Sequence, residues 1–166
     1  LSRARFPKQF LKVTGDDSLF AQTVQRFLAV TEARDLVVIT NRMHEHLVKA
    51  ELAASGAADA HVVLEPEGRN TAPAIALAAA YCRDKLAAAE SEVLFVTPCD
   101  HVIRPVDVFA AGVREAVKLA ENGSIVTFGV KPTAPETGYG YIQAGAATSG
   151  AFAVQSFREK PDRETA

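Results

Sequence analysis

Apolar residues along this chain fall into two alternating patterns, short β-favouring runs and stripes at helical spacing. Leu36-Val37-Val38-Ile39, His61-Val62-Val63-Leu64, Glu92-Val93-Leu94-Phe95-Val96 and Ser124-Ile125-Val126-Thr127-Phe128-Gly129-Val130 read as strands. The run ending at Val96 is unbroken, as expected of a strand buried on both faces in a parallel sheet. Helical stripes lie between the runs. Leu19, Val24, Phe27 and Leu28 predict a helix to about Val30, with Ser18 as its N-cap after the turn Gly15-Asp16-Asp17. Leu47, Val48 and Leu52 predict a second helix, with Gly56 just past its end. A third starts at Asn70 or Thr71 and runs to about Ala89, its alanines small enough to let it lie close against a sheet. A fourth begins at Pro105, aligns Phe109, Val113, Val117 and Ala120 on one face, and stops at Asn122-Gly123.

Beyond Val130 the helical spacing ceases. Pro132, Pro135, Gly138 and Gly140 punctuate a loop leading into Tyr141-Ile142-Gln143; Ala144 to Gly150 reads as a turn, and Phe152 to Phe157 as a half-exposed strand. Strands and helices in alternation predict a three-layer α/β/α sandwich with a mainly parallel mixed sheet, and an antiparallel addition at one side.

Composition alters this picture little. The chain has 166 residues, 48% apolar and 23% charged, enough for one domain with a core. A formal charge of −2 argues against nucleic acid or a membrane surface as a partner drawn by bulk charge. No apolar run approaches the roughly 20 residues that span a bilayer, and no signal peptide is visible. Cys82 and Cys99 form neither a CxxC pair nor a metal-ligand spacing, so a cytoplasmic protein with reduced thiols is expected. His44 and His46, two apart on the second helix, read as surface histidines and not as metal ligands. The chain starts with Leu1, not Met, and stops soon after a strand-like segment; both ends read as cuts through a larger domain.

Four stretches carry candidate chemistry. Pro98 lacks an N–H and so ends the ladder of the run before it, delivering Asp100 beyond that strand. Ligands of open α/β sheets sit there, so Asp100 either holds a hard cation on a phosphate or caps the next helix. In Glu65-Pro66-Glu67-Gly68-Arg69-Asn70-Thr71, glycine permits close backbone approach and the helix N-terminus offers N–H groups to an anion or a base edge. An ordinary strand–loop–helix joint explains the caps there, but not the crowding of Glu65, Glu67, Arg69 and Asn70. Arg3, Arg5 and Lys8 form either a solvated basic loop or a phosphate clamp. Gly138-Tyr139-Gly140-Tyr141 suits a sugar, by bare backbone beside aromatic rings, or is simply a strand entry.

In their order, Leu1-Ser2-Arg3…Pro7-Lys8-Gln9-Phe10-Leu11, Glu65-Pro66…Asn70-Thr71-Ala72-Pro73-Ala74, Thr97-Pro98-Cys99-Asp100-His101 and Phe157-Arg158-Glu159-Lys160-Pro161 resemble one family. It is that of the mannose-1-phosphate guanylyltransferases, among the sugar nucleotidyltransferases; the bacterial form often fused to a phosphomannose isomerase domain is nearest. The resemblance covers essentially the whole chain. It implies a Rossmann-like nucleotidyltransferase core that uses GTP, mannose 1-phosphate and Mg²⁺, releasing GDP-mannose for polysaccharide biosynthesis together with pyrophosphate. It also implies roles for residues. Lys8 and Asp100 would be catalytic, with Asp100 binding the metal. Arg3, Lys8, Glu65, Asn70, Thr71 and Ala72 would meet the nucleotide, and Gly140, Glu159 and Lys160 the sugar phosphate. Homo-oligomerisation is left open.

Three departures from the family pattern qualify this. Its glycine-rich loop, with an arginine and the first strand, would precede Leu1, and a second metal-binding aspartate would follow Ala166. Residues 1–166 are therefore expected to be a partial domain, poorly active alone. Cys99 stands where the family pattern has alanine, a small change compatible with burial. Two other readings remain, a glucose-1-phosphate thymidylyl- or uridylyltransferase and a non-catalytic nucleotide-sugar-binding domain. Guanine selectivity rests on the resemblance alone.

Overall fold

The computed structural model describes residues 7–148 and 150–166. Arg3, expected at the nucleotide, lies outside the described residues. Two compact units are formed, Leu1–Gly123 and Ser124–Ala166.

The first unit runs from a 3₁₀ turn, Lys8–Phe10, through α1 (Leu19–Leu28), a second 3₁₀ turn (Ala33–Asp35), β1 (Val37–Thr40), α2 (Glu45–Ala54), β2 (His61–Leu64), α3 (Thr71–Lys85) and α4 (Val106–Glu121). Ser18 starts α1: its Oγ accepts the Ala21 N–H at 2.9 Å and donates to Glu51 Oε2 on α2 at 2.7 Å. The cap thus ties two helices together. Gly56, at φ +75°, closes α2, with the Ala57 N–H returning to the Leu52 carbonyl at 2.8 Å. The chain then enters β2, which pairs with β1 in parallel from Val37↔His61 to Thr40↔Leu64. Helix α2 is the crossover of this βαβ unit. Phe10, Phe20, Val24, Val48, Leu52 and Ala57 form the core, with Val38 and Val62 of the strands and Cys99 packed against it.

Three expectations for this unit are corrected. Glu92–Val96 has no ladder partner among the described residues, and it is not buried on both faces. Val93, Phe95, Thr97 and Cys99 are half-buried while Leu94 and Val96 are exposed, the period-two alternation of an extended segment lying on a core by one side. Helix α3 ends at Lys85 and not near Ala89, because Ala87 turns left-handed at φ +53°. His44 is buried, not a surface residue: it sits at the N-cap of α2 with its ring 6.3 Å from that of Phe10, whereas His46 is exposed.

In the second unit β3 (Gly140–Thr148) pairs antiparallel with β4 (Ala151–Glu159). Gly150, at φ +81°, lies in the reversal. Ala144–Thr148, expected as turn, is strand, because cross-strand pairing with Ala151–Val154 imposes extension on residues of low β propensity. Ser124–Val130 carries no strand, and Ile125 is 98% exposed. An apolar run supplies propensity, but only a neighbouring edge makes it a strand. No helix among the described residues is long and apolar enough to cross a membrane.

Ser18→Ala removes the cap of α1 and strands Glu51, and should cost about 1–2 kcal/mol in a urea titration. A change within about 0.5 kcal/mol, as for an ordinary surface substitution, would contradict this role.

Candidate active site

Lys8 and Asp100 are 92 residues apart in sequence, yet Lys8 Nζ lies 3.2 Å from Asp100 Oδ2. The lysine is placed by the 3₁₀ turn, whose Phe10 is sunk in the core beside Phe20, their ring centroids 5.7 Å apart. The aspartate is placed by the extended segment before it, with Phe95 at ring distances of 5.2 Å from Phe27 of α1 and 6.0 Å from Phe109 of α4. Asp100 does not cap α4: that helix begins after Pro105, with no side-chain cap. His101 Nε2 stands 3.7 Å from the other carboxylate oxygen, Oδ1. With 58% of the Lys8 side chain and 39% of the Asp100 side chain open to solvent, the pair contributes at most about 1 kcal/mol to stability. Its significance is positional. An ammonium and a carboxylate at one exposed point suit a bound phosphate and its cation.

The loop after β2 holds Glu65, Asn70, Thr71 and Ala72. The Glu65 N–H extends the parallel ladder to the Thr40 carbonyl at 2.8 Å, and Thr71 and Ala72 open α3. Asn70 occupies the N-cap position without a capping hydrogen bond from its side chain. Its φ of 65° and ψ of −169° fall in a region nearly reserved for glycine, at a cost of about 1–3 kcal/mol. Strain of this kind concentrates at ligand sites. Arg69, an anion candidate by position, is already engaged by Glu67 Oε2 at 2.7 and 3.0 Å. No hydrogen bond or ion pair joins this loop to Lys8 or Asp100 among the described residues. A cavity of about 380 Å³ between α1 and α2, lined by Lys12, Asp17, Ser18 and Glu51 among others, includes none of the expected site residues.

In the second unit Gly140, Glu159 and Lys160 meet at one end of the hairpin. Gly140 pairs with Glu159 across the strands, and a Cβ at Gly140 would collide with the Phe157 ring and stand 2.9 Å from Glu159 Oε2. Lys160 is left-handed at φ +43°, its N–H bonded to the Tyr139 carbonyl at 3.0 Å and its Nζ 3.7 Å from Glu159 Oε1. Tyr139 is exposed; the Tyr141 hydroxyl instead accepts the Glu136 N–H at 2.9 Å.

The nucleotidyl transferase family model matches residues 1–166. The chain belongs to that family. Among relatives of this nucleotidyl transferase chain are the xanthan biosynthesis protein XanB of Xanthomonas campestris pv. campestris (strain B100), 48% identical, and the mannose-1-phosphate guanylyltransferase of Escherichia coli K12, 45% identical. The alginate biosynthesis protein AlgA of Pseudomonas aeruginosa is 44% identical. Each match covers 100% of this chain but 34–35% of the relative, so the chain spans about a third of their length. A crystal structure described as mannose-1-phosphate geranyltransferase from Thermus thermophilus superposes with a TM-score of 0.87 and 30% identity, over 99% of this chain and 47% of that one. The α/β Rossmann-like nucleotidyltransferase core read from the sequence is therefore the fold of this chain.

Sequence reasoning passed over Arg26, which reaches the backbone beside Asp100: its Nη1 donates to the His101 carbonyl at 3.4 Å. A signal existed. Leu19, Thr23 and Arg26 are spaced i, i+4, i+7, which puts the arginine on a buried helical stripe.

Cys99 precedes Asp100, and burial, reinforced by the aspartate's charge, raises its thiol pKa. The thiolate is the reactive form, so raising the pKa lowers reactivity at a given pH. At pH 8 Cys99 should be alkylated more slowly than glutathione, as followed by mass spectrometry, and faster in Asp100→Asn than in the parent. A parent rate equal to that of glutathione would contradict this environment.

Proposed function

We propose that the protein to which this chain belongs transfers GMP from GTP to mannose 1-phosphate, releasing GDP-mannose and pyrophosphate. The observation that carries this reading is the approach of Lys8 to Asp100 at 3.2 Å, at the end of an extended segment of an α/β core. Relatives 41–46% identical across this chain bear the name mannose-1-phosphate guanylyltransferase, which supports the choice of base and sugar.

The reaction is an in-line attack of a phosphate oxygen on the α-phosphorus of the nucleotide. That oxygen is already anionic, so no general base is required. The barrier lies in bringing two anions together, since two unit charges at about 4 Å repel by ~4 kcal/mol at an effective dielectric of 20. Lys8 offsets that repulsion at the nucleotide phosphates, and Lys160 does so at the sugar phosphate. Helix α3 presents its first N–H groups, with Asn70, Thr71 and Ala72, toward the nucleotide.

Mg²⁺ fits the residues present. This ion favours oxygen ligands, keeps several waters, and is commonly held by one or two carboxylates together with substrate phosphates. Asp100 supplies such a carboxylate, and the described residues hold no group of three or more His, Cys, Asp or Glu that could form a closed cage. When bound, the ion would neutralise charge on the phosphoryl oxygens. Synthesis of a sugar nucleotide for polysaccharide would take place in the cytoplasm, where the nucleotide substrates are held.

The test is pyrophosphate release by the whole natural protein. GTP with mannose 1-phosphate should be turned over, and UTP or dTTP with glucose 1-phosphate should not. Asp100→Asn should lower kcat by at least about 100-fold with the melting temperature retained. Turnover of the glucose pairs alone, or a parental rate in Asp100→Asn, would overturn the reading.

A further inference from the structure

Arg26 is 2% exposed and ranks with Leu19 and Leu52 among the largest fully buried side chains. Its burial is unusual in kind. No ion pair links it to a carboxylate among the described residues, and its Nε has no hydrogen-bond partner. Desolvation accordingly lowers its pKa. A cation taken from water without a counter-charge is strongly unfavourable, and a well-packed apolar residue of similar volume is often the more stable choice. Stability of the core therefore gives little reason for this arginine.

What its donors reach gives a better one. Nη2 donates to Thr23 Oγ1 one turn earlier on α1, at 3.0 Å, which fixes the guanidinium in place. Nη1 donates to the carbonyl of His101, the residue after Asp100, at 3.4 Å. The guanidinium carbon lies 5.5 Å from the centroid of Phe109, whose ring also touches Phe27 and Phe95. Phe27, the next residue of α1, holds Phe95 at a ring distance of 5.2 Å. Two neighbouring side chains of one helix thus grip the extended segment on both sides of Asp100, Phe27 before it and Arg26 after it.

We infer that Arg26 is a positioning residue: from inside the core it sets the place of the Asp100 carboxylate by holding the backbone that follows it. The kinetic part of this inference rests on the function proposed above, and the geometric part does not. Cys99 supplies a reporter for the geometric part. It precedes Asp100 and packs against the core. Cys82 of α3, buried elsewhere, reports general loosening.

The experiment uses the whole natural protein with Arg26→Met, which keeps the bulk and removes the donors, and Arg26→Lys, which keeps a charge and one donor group. Alkylation of the two thiols, the melting temperature, kcat and KM are measured for each. In Arg26→Met, Cys99 should be alkylated at least about tenfold faster while Cys82 is unchanged. Turnover should fall by about 100-fold with KM within a few-fold of the parent, the effect expected when a reacting group is misplaced by about 1 Å. Arg26→Lys should recover part of both effects. Should Arg26→Met fail to fold, Arg26→Lys is read alone, with Cys99 faster than in the parent and Cys82 unchanged as the supporting result. Parallel acceleration of both thiols with a lowered melting temperature, or an unchanged Cys99 rate, would overturn the inference. If the parent makes no GDP-mannose, the proposed function fails, and the thiol rates alone decide the role of Arg26.

Discussion

The structure depends on how side chains of α1 hold the segment that delivers Asp100. Among the contacts that hold it are Phe95 between Phe27 and Phe109, Cys99 against the core, and the His101 carbonyl on Arg26. Aromatic pairs of this kind contribute about 0.5–1.5 kcal/mol each beyond the area they bury. Two of these contacts come from neighbouring residues of α1, Phe27 before Asp100 and Arg26 after it.

This explains the division of labour in the first unit. Helix α1 is buried around much of its circumference. Phe20 and Val24 serve the core shared with α2, while Arg26 and Phe27 serve the extended segment and α4. Ser18 pins its first turn to α2, and Phe10 seats the turn that carries Lys8 in the same core. Lys8 and Asp100 therefore hang from one body of packed side chains, though each is solvent-exposed. An exposed ion pair adds little to stability; its worth lies in presenting opposite charges at a fixed spacing. In the second unit, the same economy appears at one end of the hairpin. There Gly140 gives room to the Phe157 ring, and the left-handed Lys160 stands next to Glu159.

Local signals in the sequence proved the most informative. Ser18 marks a helix start by a local side-chain cap, Gly56 and Gly123 mark helix ends by left-handed backbone, and His61–Leu64 is a strand to the residue. Elements defined by partners were less readable. Glu92–Val96 and Ser124–Val130 have strand composition without a described neighbour, and Ala144–Thr148 has a neighbour without strand composition. His44 and Arg26 were hidden for another reason, since polar side chains are usually exposed and only packing shows these two to be buried. Of the site, Asp100 was legible from its place beyond an apolar run, but that position alone did not separate a metal ligand from a helix cap. Its meeting with Lys8 across 92 residues is visible only in three dimensions.

That Lys8 and Asp100 act as one charge-positioning unit can be measured by a double-mutant cycle on kcat. Lys8→Met, Asp100→Asn and the double variant are compared with the parent in the pyrophosphate assay. Strong non-additivity is expected, with the double variant little worse than the poorer single one and a coupling of about 1.5 kcal/mol or more. Losses that simply add, to within about 0.5 kcal/mol, would mean that the two groups work independently and would contradict it.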